Sequence, residues 1–121
     1  FYKSAANTGT HTGSLWTSGG SLLATGTFTG EASSGWQQLT FPTPVAITAN
    51  TAYVASYHTN TGHYAGDADY FATAGVDNPP LHALRNGVSG GDGVYAYGGS
   101  AFPTNTFRSA NYWVDVVFAQ Q

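Results

Sequence analysis

The chain has 121 residues with only three Lys or Arg, six Asp or Glu and four His, for a formal charge of −3. That length suits one folded unit and is too short for two with separate cores. So few cations exclude a nucleic-acid binder, which needs several to displace counterions from phosphates, and a polybasic membrane-surface mode as well.

Cysteine is absent, so neither a disulfide framework nor a Cys-ligated zinc site can exist. No apolar run approaches the roughly 18 residues of a membrane span, and no signal peptide is recognisable. Charged residues make up 7% of the chain and aromatics 15%. The core is therefore expected to be aromatic and β-branched, each buried ring removing about 150–250 Å² from water. Thr, Ser, Gly and Asn take over the solubilising role of charge, a mixture suited to a secreted surface. Methionine is missing even at position 1, so the expectation is a chain processed or cut from something longer.

Phe1-Tyr2-Lys3 reads as the tail of a strand. Residues 4–13 carry Asn-Thr-Gly and Thr-Gly turn chemistry and read as a loop, with His11 a solvated loop histidine. Ser14 to Phe28 predicts a hairpin around Ser18-Gly19-Gly20, because glycine supplies positive φ at no steric cost. Trp36 to Phe41 is the next predicted strand, halted by Pro42 and Pro44, which have no N–H to donate. Val45 to Ile47 is a short extended piece. Ala52 to His58 is a strong strand, with Tyr53, Ala55 and Tyr57 on one face and Val54, Ser56 and His58 on the other.

Beyond it regularity falls, with His63-Tyr64 and Tyr70-Phe71-Ala72 as short strand candidates. Residues 74–91 form a long connection, a single helical turn being expected at Leu81 to Leu84 after two prolines. A glycine-rich turn leads into Val94 to Tyr97. Asn111 to Ala119 is the clearest strand by alternation, which places Tyr112 and Phe118 inside together with Tyr53 and Tyr57. No segment has the 3.6-residue period of an amphipathic helix, and short strands separated by turns predict an all-β sandwich.

In order along the chain, GSLWTSGGSLLATGTFTGE, GWQQLTFPTPVAITANTAYVASYH, GHYAGDADYF, PLHAL and NYWVDVVF resemble the bacterial family termed domain of unknown function 4082. The resemblance covers essentially the whole chain. It implies a module of large exported or surface proteins, beside immunoglobulin-like or other β domains. It also implies strands upstream of Phe1, so the expected fold is a jelly-roll-like antiparallel β-sandwich over residues 1–121 lacking its first strands. The family has no assigned activity, and no catalytic residue is carried over.

Function is expected in the His58–Phe71 stretch and the Tyr95–Tyr97 turn. His58, His63, Asp67 and Asp69 offer imidazole and carboxylate ligands for zinc, although the His-Glu-x-x-His spacing is missing. Asp67 and Asp69 with Asp77 and Asn78 offer oxygens for calcium, without an EF-hand pattern. The plainer reading makes all of these loop groups that bond one another and the backbone, with no cofactor required. Tyr64, Tyr95, Tyr97, Trp113 and Trp16 can present flat faces to sugar rings, unless they are core.

Catalysis has little support. There is no Gly-x-Ser-x-Gly elbow, the single glutamate Glu31 sits in a Thr/Ser loop, and a glycosidase would depend on Asp67 with Asp92 or Asp115. The resulting expectation is a non-catalytic extracellular or cell-surface module for adhesion or carbohydrate binding. Its binding residues are His58, His63, Tyr64, Asp67, Asp69, Tyr95 and Tyr97, and its partner is a glycan or cell-surface polymer. The alternative is a structural subunit that joins neighbouring β domains or identical chains by strand pairing.

Overall fold

The Ser18-Gly19-Gly20 turn closes the hairpin from which the main sheet grows. In the computed structural model, which describes residues 1–120, β2 (His11–Thr17) and β3 (Leu22–Thr27) run antiparallel from it. Gly20, at φ 93°, donates its N–H to the Thr17 carbonyl at 3.1 Å, while Ser21 N–H bonds Thr17 Oγ1 at 3.0 Å. A register shift between Leu15 and Trp16 marks a bulge near the turn, with Leu15 opposite Ala24 and Trp16 opposite Leu22. The other edge of β2 pairs with β5 (Tyr53–Thr59) without interruption, from His11 opposite Thr59 to Thr17 opposite Tyr53. The sheet order is β3-β2-β5.

Both faces of the central strand are covered. On one, His11, Gly13 and Leu15 align with Thr59, Tyr57 and Ala55. There the Phe1 ring stacks on Tyr57 at 4.2 Å and meets Phe28 edge-on at 4.8 Å. Gly13 lets this layer approach the sheet, because a Cβ there would lie 3.0 Å from both Leu39 and Phe28 side chains. On the opposite face, buried Trp16 donates its indole N–H to Ser56 Oγ at 2.8 Å and packs edge-on against Phe102 at 5.6 Å.

Three two-stranded ladders complete the architecture: β1 (Tyr2–Lys3) with β4 (Gly35–Trp36), β6 (Val76–Asn78) with β7 (Leu81–Ala83), and β8 (Val94–Tyr95) with β9 (Asn105–Thr106). Every pairing is antiparallel, and no helix occurs among the described residues. The protein is all-β.

Several expected elements differ. β2 begins at His11, inside the stretch read as loop, and His11 is fully buried. Leu81 to Ala83 is strand, not a helical turn, because Pro79-Pro80 forms the tip of a hairpin that sets Leu81 opposite Asn78. The Trp36–Phe41 strand is much shorter than expected: β4 ends at Trp36, Phe1 and Gln37 exchange backbone bonds at 2.8 and 2.9 Å just beyond it, and residues 38–41 join no ladder. Val45–Ile47, His63–Tyr64 and Tyr70–Ala72 lie outside the ladders.

The largest departure is at the C-terminal segment. Asn111 forms a single bridge with Asp67, and residues 112–120 join no ladder. Trp113, at φ 55°, breaks the extended path, and Phe118 is 41% exposed instead of inside. Alternation describes a strand that has a partner edge; without one among the described residues, residues 115–120 stay exposed on both sides of the pattern.

Candidate functional site

The structure divides the predicted site residues between two neighbouring surfaces. On the first, four tyrosines form a row. Tyr64 meets Tyr112 edge-on with ring centroids 5.4 Å apart, Tyr112 lies 6.4 Å from Tyr95, and Tyr95 lies 5.5 Å from Tyr97. Interplanar angles of 72–84° are the edge-to-face geometry that the ring quadrupole favours. The inner rings are half-buried, whereas Tyr64 is 55% and Tyr97 85% exposed. Burial raises the Tyr112 phenol above its ordinary value, and proximity to Tyr64, Tyr95 and Tyr97 acts in the same direction.

His58 belongs to this surface through the backbone. Its place on β5 turns the ring away from Tyr57, and Nε2–H donates to the Gly98 carbonyl at 2.8 Å. That bond ties the loop next to Tyr97 to the main sheet. His63, at φ 57°, is exposed and contributes its carbonyl to the Ser4 hydroxyl.

The second surface holds the aspartates. Asp67 Oδ2 accepts the Trp113 indole N–H at 2.7 Å, and its backbone bonds Asn111 in both directions at 2.9 Å. Asn111 Oδ1 accepts the Trp113 N–H at 2.7 Å, which fixes the left-handed turn that aims the indole at Asp67. Tyr70 packs edge-on against the same indole at 5.2 Å. Asp69 pairs with the Arg108 guanidinium.

Across from Trp113, Tyr2 and Trp36 stand opposite each other in the β1–β4 ladder with rings 5.8 Å apart at 85°. Tyr2, Trp36, Ala65, Gly66, Asp67 and Trp113 line an open depression of about 420 Å³. Sequence reasoning missed Tyr2 and Trp36 as surface residues. The signal available was their position on short strands with nothing apolar to cover them.

The four proposed metal ligands are not assembled. No group of three or more His, Asp or Glu side chains converges among the described residues, and Asp67, Asp69 and His58 each have another partner. Asp77 of the calcium set pairs instead with His82 across the β6–β7 hairpin at 2.7 Å. Asp92 Oδ2 is buried without a partner, and burial raises its carboxyl above the ordinary range.

The most buried polar cluster lies elsewhere, around His11. Its Nδ1 faces the Glu31 carboxylate, with Oε1 at 2.8 Å and Oε2 at 3.0 Å; its Nε2 meets Asn7 Oδ1 at 2.8 Å. Lys3 Nζ reaches Glu31 Oε1 at 3.3 Å and donates to the Ala32 carbonyl at 3.1 Å. Oε1 lies near both nitrogens without a well-aligned hydrogen bond to either. Gln37 closes the loop that delivers Glu31, accepting Ala32 N–H at 2.9 Å and donating to the Gly35 carbonyl at 3.0 Å.

Burial pushes the Glu31 carboxyl upward, but hydrogen bonds and charge from His11 and Lys3 outweigh it and hold the group below its ordinary value. Tyr57, whose hydroxyl accepts a long bond from Asn7 Nδ2, is pushed up to about 12 by burial. His11 and Asn7 are wholly enclosed, so this cluster organises the core and is not a site open to ligand.

No helix among the described residues is long and apolar enough to cross a membrane. No curated protein and no solved structure matches the chain. The sequence profile of the family described as Domain of unknown function (DUF4082) matches residues 1–114, and the chain belongs to that family.

Proposed function

We propose that this domain is a non-catalytic extracellular module that binds carbohydrate, in the service of adhesion, through the Tyr64–Tyr112–Tyr95–Tyr97 row. The observation that carries this reading is Tyr97, 85% exposed at the end of a row whose inner rings are packed. A large apolar ring held in water at a defined place costs solvation and suits the apolar face of a sugar. The two exposed rings, Tyr64 and Tyr97, stand at the ends of the row and offer stacking faces, with phenol hydroxyls and the Gly98 loop meeting the polar rim. His58 contributes by holding that loop, not by touching the ligand.

The non-catalytic part of the reading draws on Asp67, Asp69 and Glu31, each of which is engaged by a neighbouring donor. The extracellular part draws on the low charge and hydroxyl-rich composition. Affinity electrophoresis against a panel of polysaccharides tests the proposal. Retardation that is lost in Tyr97→Ala and weakened in Tyr64→Ala supports it. Equal mobility of parent and variants on every polysaccharide refutes it.

A second reading, assembly through strand pairing, draws on one feature. Residues 112–118 keep a strand-like alternation outside any ladder, with Val117 79% and Val116 47% exposed. Strands of another chain pair readily with such an edge. A monomeric mass at high protein concentration would exclude it.

A further inference from the structure

The depression beside Asp67 has the composition of a cation cage, and we propose that it binds an alkylated ammonium group. Its lining is aromatic: Trp36 and Tyr2, 53% and 41% exposed, stand nearly perpendicular, and Trp113 joins them. Aromatic faces attract a cation through the negative face of the ring quadrupole, tryptophan most strongly. Asp67 is the only charged residue among those lining the depression. One of its oxygens is held by the Trp113 indole, which aims the carboxylate, and the other has no hydrogen-bond partner among the described residues.

A floor of rings with one fixed negative charge and no positive one selects the sign of the ligand. A neutral sugar gains nothing from the carboxylate beyond a hydrogen bond, and an anion is repelled. A bare ammonium prefers water, whereas methyl or larger alkyl substituents spread the charge and add contact with Trp36 and Tyr2. Lys and Arg are absent from the lining among the described residues, so no cation there receives a phosphate adjoining the ammonium. The site therefore suits an alkylammonium that stands apart from any anionic group, which sets it against the head of a choline phospholipid. The rigid framing of the site fits this role. Tyr2 N–H bonds the Trp113 carbonyl at 3.0 Å, so the β1–β4 ladder and the Trp113 turn hold the two walls at a set separation.

The test is titration of the intact chain with tetramethylammonium, choline, phosphocholine and neohexanol (the neutral carbon isostere of choline), read by tryptophan fluorescence and by indole N–H shifts. Tetramethylammonium and choline are expected to bind saturably, with neohexanol at least about tenfold weaker, the size of one partly desolvated cation–ring contact, and phosphocholine weaker than choline because Asp67 repels its phosphate. Asp67→Asn keeps an acceptor for the Trp113 indole while removing the charge, and is expected to weaken choline about tenfold. Trp36→Ala, checked for an unchanged sheet spectrum, is expected to abolish saturation, and Tyr97→Ala to leave it unaltered. Neohexanol binding as well as choline would overturn the proposal in favour of a merely apolar groove. So would the absence of saturable binding by either cation, or cation binding that survives Asp67→Asn and Trp36→Ala.

Discussion

Glu31→Ala is the sharpest probe of how this fold is held together. The substitution removes the carboxylate that faces buried Lys3 at 3.3 Å and fully enclosed His11 at 2.8 Å. Lys3 keeps its bond to the Ala32 carbonyl but loses its counter-charge, and His11 Nδ1 loses its partner in a place water does not reach. The side chains of Lys3 and Glu31 are only 10% and 12% exposed, so solvent screens the pair little. Breaking a buried ion pair from one side costs about 3–5 kcal/mol, a large share of the roughly 5–15 kcal/mol that holds a domain folded. At about 3–5 °C per kcal/mol for a chain of this length, the melting temperature should fall by roughly 10–25 °C.

Thermal and urea denaturation followed by circular dichroism measure this directly. Lys3→Met added to Glu31→Ala should recover part of the loss, since it removes the stranded charge while keeping the packing. The same carboxylate sets an acid limit. Its folded-state value lies below the ordinary 4.5, so its contribution is complete above that pH and disappears as pH falls through the folded value. In Glu31→Ala that part of the acid dependence should be missing. A loss below about 1 kcal/mol, the size of an exposed pair, would refute the view that this cluster organises the core.

Three further outcomes follow from the same geometry. Tyr57, with its phenol at about 12, favours the folded state below pH 10, and this advantage is lost as pH rises through 12; Tyr57→Phe should flatten alkaline unfolding in that window, measured by phenolate absorbance and circular dichroism together. Gly13→Ala should cost about 1–3 kcal/mol by overpacking, because the added methyl meets Leu39 and Phe28 at 3.0 Å, and a urea midpoint unchanged from the parent would show that this layer has slack. Arg108→Ala should cost under about 1 kcal/mol in the same assay, since the Arg108 and Asp69 side chains are 57% and 54% exposed and their attraction is screened.

The aromatic candidates show how far residue type alone reaches. Tyr64, Tyr95 and Tyr97 do come together, but the ring that joins them is Tyr112, contributed by the C-terminal segment. Asp67 and Asp69, two positions apart, go to different partners, Trp113 and Arg108. His58 and His63 are likewise parted, because the first is fixed on β5 and the second follows a turn with positive φ at Gly62 and at His63 itself. Proximity along the chain thus did not bring the four metal candidates together, and distance along it concealed that Tyr2, Trp36 and Trp113 line one depression.

What could be known from the order of residues was whatever depends on near neighbours. The hairpin at Gly19-Gly20, the two-faced strand expected over Ala52 to His58 and found at Tyr53–Thr59, and the all-β class all follow from turn chemistry and a two-residue period. The strand status of His11, the loss of strand in residues 112–120 and the pairing of Glu31 with Lys3 and His11 depended on contacts between distant segments. A ladder needs a partner edge, and a buried charge needs a counter-charge delivered by another loop. Neither is a property of a local stretch, which is why tertiary structure alone turned a histidine in a Thr- and Gly-rich stretch into the centre of the core.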